Sequence, residues 1–205
     1  MAAQRTFGVA IPVPDPFGAQ LQSHRASFGD PLAGAIPAHI TLLPPTQLPA
    51  TQDVGAHLAA AAASAGPFTI HLRGTDTFRP VSPVVFVPLV EGAGDCERLE
   101  RQVRRGPLHR ELEFPYHPHV TVAHHLPDER LDEAFGSLAN FECTFQADEI
   151  LLYEHGADGV WRPQRRYPLT ASASGAGANS AGANSAGANS ADANSAGANG
   201  AGASS

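Results

Sequence analysis

From Arg5 to Val13 the chain alternates, with Phe7, Val9, Ile11 and Val13 on one face and Thr6, Gly8, Ala10 and Pro12 on the other. A period of two marks a half-buried strand. The second set is small, which leaves room if that face lines a cleft. Phe17, Leu21, His24 and Phe28 then recur at helical spacing within Asp15–Phe28, and Asp15-Pro16 is a start signal. A Gly/Pro connection over Gly29–Pro37 leads to an apolar strand around His39, ended by Pro44-Pro45. Thr51–Ala65 is Ala-rich and reads as a helix, with Thr51 or Asp53 as cap and Gly66-Pro67 as stop. Phe68–Arg73 alternates as a strand, and the almost wholly apolar Ser82–Val90 reads as a central one. Gly94–Arg105 is a helix closed by Gly106-Pro107, and a second His-bearing strand follows. Pro127–Asn140 is a helix with Asp128, Glu129, Asp132 and Glu133 toward its positive end. Phe141–Tyr153 and Val160–Leu169 read as strands about a turn at Gly156 and Asp158-Gly159.

The order repeats. Strand, helix, His strand, helix, strand occupies Arg5–Arg73 and again Ser82–Tyr153. The repeat is one of pattern, because the sequences differ outside the His strands. Two similar halves each place one His strand on a sheet, and a cleft between them would bring the two strands face to face. The core expected from this pattern is Phe7, Val9, Ile11, Ile40, Leu42, Phe68, Ile70, Leu72, Phe86, Val120, Val122, Phe141, Phe145, Ile150 and Leu152. Residues 1–171 form the folded domain in this reading. Ser172–Ser205 repeats Ala-Gly-Ala-Asn-Ser and has no aliphatic larger than Ala, so it cannot bury enough surface to offset chain entropy and is expected to be disordered.

The His strands share one motif. His39-Ile40-Thr41 follows Pro37-Ala38, and His119-Val120-Thr121 follows Pro118 directly. In a strand, alternate side chains share a face. Each copy therefore presents an imidazole and a hydroxyl together, with an apolar back that can bury. A single His-x-Thr carries no information, and a lone strand His is usually a satisfied core residue. Two matched copies are a stronger signal. His117 and His125 have the parity of His119 and border the same face, whereas His124 has the opposite parity. His24, His57, His109 and His155 read as surface or helix residues.

Two imidazoles facing one site can run acid–base chemistry near neutral pH, one taking a proton from the nucleophile and the other giving one to the leaving oxygen. The threonine hydroxyls can donate to non-bridging phosphate oxygens. A phosphodiester suits this array, above all a ribose 2′,3′-cyclic phosphate, whose ring opening needs no metal if both protons are handled.

Charge narrows the partner. The 205 residues carry a formal charge of −7, and with Asp192 in the tail the body is at −6. An acidic body argues against an extended nucleic-acid groove, which needs many cations, but not against a site for one phosphate. Arg98, Arg101, Arg104 and Arg105 form one basic group and Arg162, Arg165 and Arg166 another; both read as solvated faces. Cys96 and Cys143 are far apart and outside any CxxC pattern, as in a reduced protein, and Cys143 alternates with Phe141 and Phe145 as a buried strand residue would. There is no signal-peptide pattern and no apolar run of the ~18 residues a membrane helix needs. The expectation is a cytoplasmic monomer, off the membrane.

The paired motifs resemble the signature of the 2H phosphoesterase superfamily, and within it the bacterial 2′-5′ RNA ligase-like proteins, also described as RNA 2′,3′-cyclic phosphodiesterases. The resemblance covers about Arg5–Leu169, including Trp161 and Pro168-Leu169. It implies an α+β fold of two pseudo-symmetric lobes with antiparallel sheets around a central cleft. It implies metal-independent, cofactor-free chemistry at His39, Thr41, His119 and Thr121 on a small nucleotide or RNA end, with reversible 2′-5′ RNA ligation served by the same groups. It makes His119 the base toward water and His39 the acid toward the leaving ribose oxygen. Tyr116 and His125 are candidate substrate contacts. The chain departs from that pattern at Leu43-Pro44-Pro45, where many members have an aromatic and a Leu-Gly pair. It departs again at His124-His125, where many have an Arg. These departures motivate an alternative, a nucleotide-binding or RNA-end-binding module of the same fold without useful turnover. A His-x-His-x-His nucleotide hydrolase would need a third His at Thr121 and leaves His39-Ile40-Thr41 unexplained. A metal site at His117, His119, His124 and His125 lacks a supporting acid or Cys.

Overall fold

The computed structural model describes residues 4–171. Their elements run β1 (Gln4–Pro12), α1 (Phe17–Ser27), β2 (His39–Pro49), α2 (Gly55–Ala63), β3 (Phe68–Arg73), β4 (Asp76–Thr77) and β5 (Val84–Glu91), then α3 (Ala93–Val103), β6 (His119–His124), α4 (Asp128–Ser137), β7 (Glu142–Ala147), β8 (Glu149–His155) and β9 (Trp161–Pro168). Every strand pairing is antiparallel, in the order β7-β3-β5-β6-β2-β1-β8-β9, with β4 added to β5. This is an α+β fold with one curled sheet in two halves, joined where β2 meets β6 through a single residue pair, Ile40 opposite Val120.

The repeated element order is present, but the halves exchange strands. β3 belongs to the first repeat and pairs with β5 and β7 of the second. β8 follows the second repeat and pairs with β1 of the first. The lobes are therefore β2-β1-β8-β9 and β6-β5-β3-β7, each completed by a strand from the other half of the sequence. The helices cross in the same way, α1 packing on β6 and α3 on β2. The back face closes on one core that includes Ile11, Leu21, Ile40, Leu58, Leu99, Val120 and Leu131. Of the expected core, all are buried except Phe68, which is partly buried against it.

Four local expectations are corrected. Pro44-Pro45 does not end the strand, because β2 runs through to Pro49. The ladder with β1 is irregular there, with Leu43 opposite Val9 and then Thr46 opposite Phe7. A proline lacks the ladder N–H, so it is tolerated at such an irregularity and on an edge. β2 touches β6 only at Ile40, so the prolines also lie where its far edge is open. Phe141–Tyr153 is two strands, β7 and β8, broken at Asp148 and sent to opposite ends of the sheet. α2 starts at Gly55, not Thr51; Asp53 serves it nonetheless, its Oδ1 accepting from the Gly55 N–H at 2.7 Å. In α1 the inward stripe is Gly18, Leu21, Arg25 and Phe28, one position off the expected Phe17, Leu21, His24 and Phe28. Both cysteines are buried and free. The reading of Ser172–Ser205 as a disordered tail lies outside the described residues.

Candidate active site

The Ile40–Val120 pair fixes the geometry. Antiparallel pairing about it sets His39 beside Thr121 and Thr41 beside His119. Ile40 and Val120 point into the core with no exposed surface. The four motif side chains alternate with them and share the opposite, half-buried face. The outer neighbours match as well. Pro12 lies opposite His39 and Pro88 opposite His119, while Ala10 lies opposite Thr41 and Phe86 opposite Thr121. Both ladders also skip one residue just past the motif, at Leu42 and at Val122. A bulge of this kind reverses the alternation that follows. Leu42-Leu43 and Val122-Ala123 are accordingly buried in pairs, and Pro44 and His124 return toward the cleft.

Each imidazole is held by the same device. His39 Nδ1 is 2.8 Å from the Pro37 carbonyl oxygen, and His119 Nδ1 is 2.7 Å from that of His117. A carbonyl only accepts, so Nδ1 carries the proton and Nε2 is the free nitrogen of the neutral ring. Burial lowers the pKa of both. His39 is lowered by desolvation and further by the nearby Arg25 cation, against the Pro37 bond. His119 is held down to about 4, chiefly by burial, with smaller contributions from His117, His39 and His124 and against its own backbone bond. Its surround is aromatic, the Phe78 and Phe86 ring centres each lying 5.0 Å from its own.

Two cavities open on this face. The larger, about 810 Å³, is lined by His119, Phe78, Val81, Leu112, Phe114 and Tyr116 among others. The smaller, about 250 Å³, includes His39, Arg25, Leu32, Tyr153 and Trp161. Thr41, Thr121 and His124 line both, so the cavities meet over the two hydroxyls with one motif histidine on either side. The small residues of β1 make the smaller cavity possible. Gly8 and Ala10 line it, and a Cβ on Gly8 would lie 3.1 Å from the Trp161 ring.

Of the other sequence candidates, Tyr116 lines the larger cavity, and its hydroxyl donates to the Thr41 carbonyl at 2.9 Å, tying the 110–117 segment to the first motif. His117 lines the same cavity, stacked near His119 with ring centres 6.1 Å apart. His125 lines neither cavity; it is exposed with φ of 52°. His124 closes β6 but lines both, contrary to its sequence parity, because of the Val122 bulge. Arg25 was not singled out, since an Arg amid a polar helix reads as surface; its place on the i, i+4 stripe from Leu21 was the available signal. Most of the basic groups are held in ion pairs, Arg98 with Asp95, Arg101 with Glu97, Arg104 with Glu100, Arg162 with Asp158 and Arg166 with Glu149, while Arg105 donates to Gln102 Oε1 and Arg165 lies over the Tyr167 ring. Among the described residues no three His, Cys, Asp or Glu side chains are grouped to hold a metal, and no helix is long and apolar enough to cross a membrane.

Known proteins resemble this chain in sequence and in fold. The family model described as the 2′-5′ RNA ligase superfamily matches residues 13–159. A protein named "putative phosphoesterase" from Halalkalibacterium halodurans is 27% identical over 167 residues, covering 80% of this chain and 96% of that one. Another of that name from Bacillus pumilus is 32% identical over 118 residues, covering 57% and 68%. Among solved structures, E. coli LigT complexed with 3′-AMP aligns with a TM-score of 0.58 at 21% identity, over 82% of this chain and 99% of that one. LigT complexed with NADP+ gives 0.57 at 23% identity, over the same shares. At these identities the structural likeness establishes the fold.

Proposed function

The chain belongs to the 2′-5′ RNA ligase superfamily, and from that premise we propose that it is a metal-independent phosphodiesterase acting on 2′,3′-cyclic phosphate ends of RNA or small nucleotides, with His39, Thr41, His119 and Thr121 as its catalytic residues. The observation that carries this reading is the Ile40–Val120 pairing, which brings a His-Thr pair from each motif onto one cleft face. The phosphorus sits where the two cavities meet. One imidazole receives a proton from the attacking water at Nε2, and the other delivers a proton to the departing ribose oxygen. The threonine hydroxyls donate to the non-bridging oxygens as charge accumulates on them. In the empty cleft both imidazoles are biased toward the neutral form. A phosphodiester anion between them favours protonation of one, so the substrate itself helps set up the acid–base pair. The same two groups would serve ligation, in which a ribose 5′-hydroxyl replaces water as the nucleophile on the cyclic phosphate and gives up its proton to the same base.

The larger cavity has room for a nucleoside, its about 810 Å³ lying within the usual range for small-ligand sites, ~300–1,000 Å³. The 3′-AMP, NADP+ and ATP complexes of the structurally similar LigT support a nucleotide as substrate here. Two buried free thiols suit a reducing compartment, and we place the protein in the cytoplasm, acting as a monomer. The test is a panel of nucleoside 2′,3′-cyclic phosphates and cyclic-ended oligoribonucleotides, incubated with chelator and read for both 2′- and 3′-phosphate products. Ring opening should proceed undiminished by chelator. Tight nucleotide binding without any product would replace this reading with the binding module.

A further inference from the structure

The smaller cavity holds a cation that the acid–base scheme does not use. Arg25 is 5% exposed and Asp30 4%. Arg25 Nε donates to Asp30 Oδ2 at 2.7 Å, and Asp30 Oδ1 accepts from the Leu32 N–H at 2.8 Å. The carboxylate is thus occupied on both oxygens. The guanidinium is bound only through Nε; its two terminal nitrogens have no partner among the described residues. Neither nitrogen is among the fully buried unpartnered atoms, so both stay open to the cavity that Arg25 lines. An Arg that uses one edge to anchor itself and leaves the other in a cavity wall has the form of a ligand-binding group.

The setting selects the ligand. Arg25 lines the cavity with His39, Thr41, Thr121 and His124, and no carboxylate lines it. The lining thus contains one cation, paired from behind with Asp30, and no acid. Burial first and the Arg25 cation after it depress the pKa of His39, whereas at His124 the upward pull of Asp30 outweighs the downward push of Arg25. Its neighbours Thr41 and Thr121 are hydroxyl donors, so two hydroxyls converge with the guanidinium on one small space.

We propose that Arg25, oriented by Asp30, grips a non-bridging oxygen of the substrate's phosphoryl group from the smaller cavity. This rests on the phosphodiester reading and deepens it by naming the anion-binding residue.

The test separates the two claims by using a probe that does not react. Inorganic phosphate is titrated into the full chain at low ionic strength, following the His39 and His124 ring resonances. The variants are Arg25→Lys, Arg25→Met, and Arg25→Met combined with Asp30→Leu, which leaves no unpaired buried charge. Wild type should bind phosphate. The double variant, folded by circular dichroism, should bind it about 10–100-fold more weakly, as for loss of a charge-assisted bidentate contact, with Arg25→Lys recovering only part. Turnover of a cyclic phosphodiester should fall by a similar factor in kcat/KM. Unchanged phosphate affinity in the folded double variant, or no phosphate binding by wild type, overturns the assignment of Arg25. Arg25-dependent phosphate binding in a protein that opens no cyclic phosphodiester would leave Arg25 in place and remove the phosphodiesterase reading instead.

Discussion

His39 and His119 each commit Nδ1 to the carbonyl two residues back, and the consequence is a pair of Nε2 atoms fixed toward the cleft. Their pKa shifts have a sign that can be checked. His119 has a folded-state pKa of about 4 against an ordinary 6.5. Below about 6.5 the unfolded chain takes up a proton that the folded one refuses. The contribution to stability is therefore complete above that pH and is lost as pH falls toward 4. Denaturation midpoints should drop over this window by less in His119→Gln than in wild type, and an equal pH slope in the two proteins would show that His119 is not held neutral. Inorganic phosphate should raise the His119 ring titration in NMR. The threonines contribute in another way. Thr41→Val or Thr121→Val should leave the fold intact and lower kcat/KM by at most ~2–4 kcal/mol in transition-state terms, as for one lost donor. At this scale the sequence was informative for His39, Thr41, His119 and Thr121, because alternation within three residues cannot be disturbed by anything distant. It misled for His124 and His125, where the bulge at Val122 reverses the faces and leaves no mark in the residue types. Arg25 was hidden by a one-position error in the helix stripe.

At the scale of elements, the contact of β2 with β6 is the narrowest and most consequential joint, since one residue pair holds both motifs in register. Ile40 has no exposed surface and belongs to the core shared by both lobes. Ile40→Ala should cost about 2–5 kcal/mol of stability, the usual range for a buried Ile→Ala change. It should also lower kcat in protein that remains folded, because the His39–Thr121 and Thr41–His119 neighbours lose their common spacer. Urea denaturation together with steady-state kinetics would check this; a stability loss with unaltered kcat would mean that the motifs are positioned from elsewhere. The elements themselves were largely readable, for hydrophobic period separates strand from helix without reference to the rest of the chain. Their partners were not. Nothing in Phe141–Tyr153 shows that its two halves go to opposite ends of the sheet, because strand pairing depends on which edge is open after the rest has folded. Pro44-Pro45 was misread for the same reason, as a stop signal in an edge segment that needs no ladder donors there.

Across the whole molecule, an acidic chain carries a carboxylate-free cavity beside an apolar one, with the two His-Thr pairs between them. On the proposed function, one phosphate and its nucleoside are the ligand, and a long polyanion finds little to bind. Binding of cyclic-ended oligoribonucleotides should therefore change little with length beyond the first few nucleotides. Its logarithmic salt dependence should have a slope of only about −0.7 to −1.4, as for one or two phosphate contacts on a single strand. A steep slope growing with length would reveal a groove along the surface. The pseudo-symmetry of the lobes was foreshadowed by the repeated element order, whereas the exchange of β3 and β8 between them was not. The central claim is that the two histidines act as one unit on one phosphorus, and the most direct measurement is a double-mutant kinetic cycle on a nucleoside 2′,3′-cyclic phosphate with chelator present. His39→Ala and His119→Ala should each lower turnover by ~10²–10⁴, and the double variant should lose far less than the product of the two. Full activity in either single variant, or losses that simply multiply, would contradict the account.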